Sequence, residues 1–300
     1  TALDSVSFEV APATIFGLLG PNGAGKTTAI SLLTTLLRPD AGRATVLGLD
    51  VVRDAGKARQ VIGLAGLAAA VDANLTGREN LRLMGRLGQL SRAQFRRRAD
   101  ELLERFDLVG AAARPVRTYS GGMRRRLDIA AALVASPTVL FLDEPTTGLD
   151  LQSRNGLWDM IRELVHAGTT IVLTTQYLEE ADRLADRIAV IDNGRVIAND
   201  TPVALKATLG STVIEIGLPD EASAVRTGGV LGSLTATQVH VHDASVTLRS
   251  NQPTPTLVTA LRLMEQAALE PTTLHVREPS LDDAFLQLTG HAATANGETR

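Results

Sequence analysis

The stretch Gly20-Pro21-Asn22-Gly23-Ala24-Gly25-Lys26-Thr27 constrains the fold more than any other part of this 300-residue chain. It follows the pattern G-x-x-x-x-G-K-[ST], and Thr28 comes next. Glycines let a backbone curl until its N–H groups face phosphate oxygens. A helix starting near Lys26 adds the positive end of its dipole. Thr14–Leu19 reads as the apolar strand that enters such a loop, and Lys26–Leu37 as the helix that leaves it. Gly20 to Gly25 and Thr28 are then the candidate phosphate cradle. Lys26 is expected to reach the β and γ phosphates, and the Thr27 hydroxyl to ligate Mg²⁺.

Other short apolar runs, Thr138–Leu142 and Thr169–Thr174, read as strands buried on both faces, as a parallel sheet requires. Helical patterns at Arg96–Phe106, Met123–Ala135 and Ser153–Ala167 alternate with them, which predicts an α/β fold. Ile188–Asp192 and Arg195–Ala198 flank Asn193-Gly194, a dipeptide suited to the type I′ turn of a hairpin. The character shifts near Thr208–Ser211. Beyond it lie strand patterns at Val213–Leu218, Val239–Leu248 and Thr273–Val276, with helices at Leu257–Ala268 and Ser280–Leu288. Pro253 and Pro255 are expected to precede the first of those helices. The reading is a domain over 1–208 with a helical subdomain at about 70–136, a small α+β domain over 209–290, and a disordered tail over 291–300.

Two further elements carry chemistry. The apolar run Val139–Leu142 ends in Asp143-Glu144, at the strand end where ligands bind in open α/β sheets. Asp143 can hold Mg²⁺, and Glu144 can polarise an attacking water. Upstream, Ser120-Gly121-Gly122 opens the basic helix containing Arg124-Arg125-Arg126. A serine, glycine N–H groups and a helix N-terminus make a second anion site.

The order of these elements resembles the ABC ATPase family, in which a Ser-Gly-Gly signature precedes the second acidic element. Thr147-Gly148-Leu149-Asp150 looks like that family's D-loop. The resemblance covers about residues 1–205. It implies an ATP-hydrolysing P-loop NTPase with a mostly parallel sheet, ATP and Mg²⁺ as ligands, and two cassettes associating head-to-tail. Ser120 and Gly122 of one copy would then contact the γ-phosphate held by Lys26 of the other, with Gly121 between them as part of the nucleotide-binding signature. Thr174 to Asp182, Asp186 to Gly194 and Pro279 to Leu286 are similar to the daunorubicin-resistance (DrrA-type) subfamily. That resemblance implies a homodimer paired with an ABC-2-type permease, exporting hydrophobic drugs, antibiotics or lipids. It also implies a regulatory C-terminal extension. Glu179–Arg187 and Val71–Arg92 are the expected permease-facing surfaces.

The chain departs from the family pattern at three places. Gln176 stands at the switch position most often held by histidine, as it does in the resembling subfamily. Its amide can donate to a γ-phosphate but cannot take a proton, which leaves Glu144 as the general base. Leu67 stands where a glutamine normally touches Mg²⁺ and signals to the permease. Either water completes the metal shell, or coupling is altered, or this copy is catalytically weak. The adenine-stacking aromatic normally lies before a segment like Ala2-Leu3-Asp4, and the chain begins at Thr1, so its true N-terminus is expected to lie upstream.

The remaining residues receive plain readings. Arg124 to Arg126 form a solvated helix face, Trp158 packs in the core, and the histidines show no metal-ligand pairing. A net charge of −3 gives no reason to expect nucleic acid. The absence of cysteine excludes disulfides and zinc–thiolate sites. No apolar run approaches the roughly 20 residues that span a bilayer, so a substrate must cross through another polypeptide. The chain is then peripheral, on the cytoplasmic face of the membrane. Soluble ABC ATPases of DNA repair or translation carry coiled-coil insertions, zinc cysteines or two cassettes, none of which appears. An ATP-dependent clamp with little turnover is opposed by Lys26, Asp143 and Glu144.

Overall fold

The computed structural model describes residues 1–66, 71–207, 212–232, 234, 238–250, 252–278 and 280–289. Two compact units are present, Thr1–Pro202 and a second beginning at Val203. The expected boundary at 208–211, the tail over 291–300, Leu67 and Pro279 lie outside the described residues.

The first unit opens with β1 (Ile15–Leu19), α1 (Lys26–Leu33), β2 (Thr45–Val46), β3 (Leu49–Asp50), α2 (Ala55–Val61) and β4 (Ile62–Ala65). Three helices follow, α3 (Gly77–Leu87), α4 (Arg92–Arg105) and α5 (Gly121–Ala132). The chain then returns to the sheet through β5 (Val139–Asp143), α6 (Leu151–His166), β6 (Thr170–Thr175) and α7 (Leu178–Leu184). The hairpin β7 (Arg187–Asp192) and β8 (Arg195–Asp200) ends the sheet, and α8 (Pro202–Ala207) comes next.

The six strands lie in the order β4-β5-β6-β1-β7-β8, all parallel except the last pair. Every residue of β1, β5 and β6 is buried, as continuous apolar runs between two helical layers predict. Phe16, Leu18, Ile30, Phe141, Val172 and Ile191 form one core cluster. Phe8 stacks on Phe16 with ring centroids 5.1 Å apart. Asn193 and Gly194 take φ values of 46° and 76°, the left-handed pair that the expected hairpin turn needs.

Helix ends differ from the pattern-based expectations. The first helix stops at Leu33, not Leu37, because Thr35 enters the left-handed region at φ 67°. The N–H groups of Leu36 and Leu37 then turn back to the carbonyl of Ser31. The fourth helix starts earlier than expected, at Arg92, where Ser91 and Gln94 form a capping box.

The second unit holds β9 (Thr212–Gly217), α9 (Glu221–Leu231), β10 (Gln238–His242), β11 (Ser245–Ser250), α10 (Pro253–Gln266), β12 (Thr273–Arg277) and α11 (Leu281–Thr289). Its antiparallel sheet has the order β10-β11-β9-β12. Ile214, Ile216, Val246 and Leu248 pack with Ala224 and Leu231 of α9 and with Ala260 and Met264 of α10. The tenth helix begins at Pro253, so the prolines form its first turn instead of preceding it. A missing N–H costs nothing there. His240 pairs with Thr247 and His242 with Ser245, and both histidines are exposed. Among the described residues no group of three His, Asp or Glu is placed to hold a metal, and no helix is long and apolar enough to cross a membrane.

Candidate nucleotide site

The loop from Gly20 to Gly25 leaves the C-terminal end of β1 and turns into α1. Gly23 and Gly25 have φ values of 83° and 105°, which an L side chain rarely adopts. No side chain caps the N-terminus of α1, and no acidic residue lies in its first turn. A dipole end without a carboxylate suits an anion.

Lys26 is 4% exposed, and its ammonium donates to the carbonyls of Gly20 (2.7 Å) and Pro21 (3.1 Å). Burial pushes its pKa down, while the nearby Glu144 and Asp143 charges oppose that. Glu144 Oε1 lies 3.7 Å from Nζ. The Thr27 hydroxyl donates to Asp143, at 3.1 Å from Oδ2 and 3.3 Å from Oδ1. The loop and the second acidic element are thus in direct contact across 116 residues of chain.

Glu144 has a φ of 46°, a left-handed backbone for a residue with a side chain. Its N–H donates to the carbonyl (3.1 Å) and the hydroxyl (3.0 Å) of Thr174. The same hydroxyl donates to Asp143 Oδ1. Thr174 therefore holds both acidic residues, a role that its place in an apolar strand did not reveal. The register Asp143↔Thr174 is what brings it there.

Arg125 corrects the solvated-face expectation. Its Nε donates to the carbonyl of Pro145 (2.7 Å) and its Nη2 to that of Asp143 (2.8 Å). Arg126 reaches the carbonyl of Phe106 at 3.2 Å, so only Arg124 of the three is exposed. Nothing in the run of three arginines distinguishes them. The packing of α5 against β5's end does.

The remaining predicted residues stand apart from this contact. Ser120 caps α5 by accepting the Met123 N–H at 3.2 Å. A cavity of 490 Å³ takes in Gly121, Thr27, Gly66, Asp143, Glu144 and Gly148. Ser120, Gly122 and Asp150 do not line it. Asp150 caps α6, accepting the Ser153 N–H (2.8 Å) and hydroxyl (2.9 Å), and these bonds hold its carboxyl below the ordinary aspartate value. Gln176 follows β6 and is half-buried. Leu67 lies outside the described residues. Trp158 is fully buried, as expected for core packing. In Glu179–Arg187, Glu180, Ala181, Leu184 and Ala185 are buried, which narrows the exposed part of that expected surface.

Known proteins resemble this chain over its length. The family model described as ABC transporter matches residues 3–147. The daunorubicin resistance ATP-binding protein DrrA2 of Streptomyces coeruleorubidus is 50% identical over 303 residues, covering 100% of this chain and 93% of that protein. The daunorubicin/doxorubicin resistance ATP-binding protein DrrA of Streptomyces peucetius is 49% identical, with 97% and 89% covered. Among solved structures, a dimeric post-hydrolysis state of the ATP-binding cassette MJ0796 with ADP and Pi superposes with a TM-score of 0.61 at 25% identity. That match covers 67% of this chain and 90% of the other. The expected α/β P-loop ATPase fold and the expected subfamily both stand: the chain belongs to the ABC transporter family, as an ATP-binding subunit of the daunorubicin-resistance (DrrA) type.

Proposed function

We propose that this chain powers export of a hydrophobic drug, antibiotic or lipid through a separate ABC-2-type permease, by hydrolysing ATP at the loop–acidic-strand contact. The observation that carries the reading is the direct meeting of Thr27, Lys26, Asp143 and Glu144 at the C-terminal ends of β1 and β5. ABC ATP-binding subunits bind ATP, work with transmembrane permeases and dimerise. For this chain a homodimer at the cytoplasmic face of the membrane is the natural form. The relatives' names supply the class of cargo, since they are daunorubicin and doxorubicin resistance proteins.

The donors offered by Thr27 and Asp143 are hard oxygens, the kind Mg²⁺ takes. These two residues would hold the ion, which when bound neutralises charge on the phosphate oxygens. Lys26 would trade its loop carbonyls for the β and γ phosphates. The backbone of Gly20 to Gly25, with Thr28, would cradle the remaining oxygens. Glu144 would accept the proton of the attacking water, because Gln176 has no basic atom to do so. Ser120, Gly121 and Gly122 of the second copy would close the site from the other side, beside Asp150. Residues 1–208 form the cassette in this reading, with 70–136 as its helical subdomain, and 209–290 a regulatory domain.

The test is ATP turnover by the chain assembled with its permease in lipid. Glu144→Gln should abolish turnover while ATP still binds, a loss of about 10³-fold or more for a missing general base. Turnover that survives this substitution would reject Glu144 as the base. A Leu67→Gln variant reports on coupling. If rate and transport are unchanged, the altered-coupling idea loses its support.

A further inference from the structure

Arg125 lies one turn into α5, the helix that Ser120 caps. Its side chain is 17% exposed, and the proposed chemistry gives it no part. On one edge of the guanidinium, Nε donates to the Pro145 carbonyl at 2.7 Å and Nη2 to the Asp143 carbonyl at 2.8 Å. On the other edge, Nη1 donates to Asp128 Oδ2 at 3.4 Å. A guanidinium is planar, so one fork sets the spacing and direction of both carbonyls together. Hydrogen bonds from a charged donor are roughly twice as strong as neutral ones.

The two carbonyls bracket Glu144. That of Asp143 belongs to the peptide whose N–H, on Glu144, donates to the carbonyl and hydroxyl of Thr174. This peptide is therefore held at both ends, from α5 and from β6. The ring of Pro145 fixes its own φ, so holding its carbonyl also restricts the peptide that joins it to Glu144. Between these anchors Glu144 takes its left-handed φ of 46°, a backbone that persists only where neighbours over-determine it. Gly66, just after β4, backs onto the same place with a φ of 118°. A Cβ there would collide with the Asp143 carbonyl oxygen and stand 3.0 Å from Arg125 Nη2. The carboxylate so placed has Oε1 3.7 Å from Lys26 Nζ, and Oε2 accepts the Thr147 hydroxyl at 3.2 Å.

We propose that Arg125 is a positioning residue for ATP hydrolysis: its fork fixes the Asp143 and Pro145 carbonyls and so aims the Glu144 carboxylate from α5. It acts through the backbone of the base and not on the phosphates. Lys26 and the loop from Gly20 to Gly25 are held by other contacts, so the role separates turnover from binding. Pairing with Asp128 needs only a positive charge, whereas holding two carbonyls at once needs the fork.

The experiment uses the full chain assembled with its permease in lipid, measuring kcat and, separately, ATP binding. Arg125→Lys keeps the charge but loses the fork, and should lower kcat about tenfold with the ATP Kd within about twofold of wild type. Arg125→Ala should cost at least as much. In the Glu144→Gln background, single-turnover assays should show that Arg125→Lys slows the residual rate by no more than about twofold, because the group it aims is gone. A folded lysine variant with wild-type kcat would overturn the proposal and leave Arg125 only as the partner of Asp128. So would a Kd that rises in step with the rate loss, or a further loss of about tenfold in the Glu144→Gln background. Should the alanine variant not fold, the lysine variant decides alone. The inference rests on hydrolysis with Glu144 as the base. A wild-type chain without turnover would defeat that reading, whereas normal turnover in the Arg125 variants defeats only the role of Arg125.

Discussion

In the first unit β1, β5 and β6 run parallel, so their C-terminal ends meet at one side of the sheet and carry Gly20, Asp143 and Thr175 there. In the second unit the strands are antiparallel, and successive ends alternate between the two sides. Glu215, His240 and His275 share one face there but stand on three different strands, β9, β10 and β12. Both sheets bury an apolar layer against helices. Only the parallel one also gathers polar ends, because every strand must be re-entered from the same side and leaves its loop at the other. Polar strand ends therefore collect on one side of the first unit's sheet and are divided between two sides in the second.

The largest effect that could break this contrast is at Lys26. Lys26→Ala should remove ATP binding along with turnover, a rate loss of about 10³-fold or more. A far-UV melting curve of the second unit should be unchanged beside it. If that unit also melts early, the two units share stability and the contrast is overdrawn. Next is Ile216→Ala, which should destabilise the second unit by about 2–4 kcal/mol through a core cavity. Trp158 is the chain's one tryptophan and lies in the first unit. Its fluorescence should therefore miss an early transition that circular dichroism sees, and ATP binding should persist.

Thr174→Val sharpens the comparison from the other side. It removes the hydroxyl that joins Asp143 to the Glu144 N–H. The expected result is about a tenfold fall in kcat, with a melting shift near that of one hydrogen bond, about 1 kcal/mol. A normal rate would mean that backbone bonds alone hold Glu144. The smallest effect belongs to Asp283, which bonds Arg277 and the Ser280 N–H and hydroxyl. Burial would raise its pKa, but those partners outweigh burial and hold the carboxyl below the ordinary 3.8. A depressed folded pKa stabilises above the unfolded value, and that stability is lost as pH falls through the folded one. Asp283→Asn should remove about 1 kcal/mol at neutral pH and progressively less in acid. A loss that grew in acid would reverse the assignment.

Much of the first unit was legible in the chain. The runs Thr138–Leu142 and Thr169–Thr174 are largely apolar without alternation, which two-sided burial demands, and they coincide closely with the strands Val139–Asp143 and Thr170–Thr175. Helix ends were less so. Nothing in Leu36 and Leu37 signals that Thr35 turns left-handed, since that depends on where the chain must go next. Pro253 was misplaced by a turn, because proline is as good a first helical residue as a preceding one.

The sequence by itself determined the phosphate loop, the acidic strand end and the family, since each is a local run of residue types whose spacing carries the physics. Only the tertiary structure decided that Thr174 holds Asp143 and Glu144, that Arg125 is bound to strand-end carbonyls, and that Glu180 lies buried beside Trp158. Those contacts join residues 18 to 31 positions apart. Periodicity tells which face a side chain takes on its own element. Strand register and helix packing choose its partner on another, and both are settled by the whole core at once.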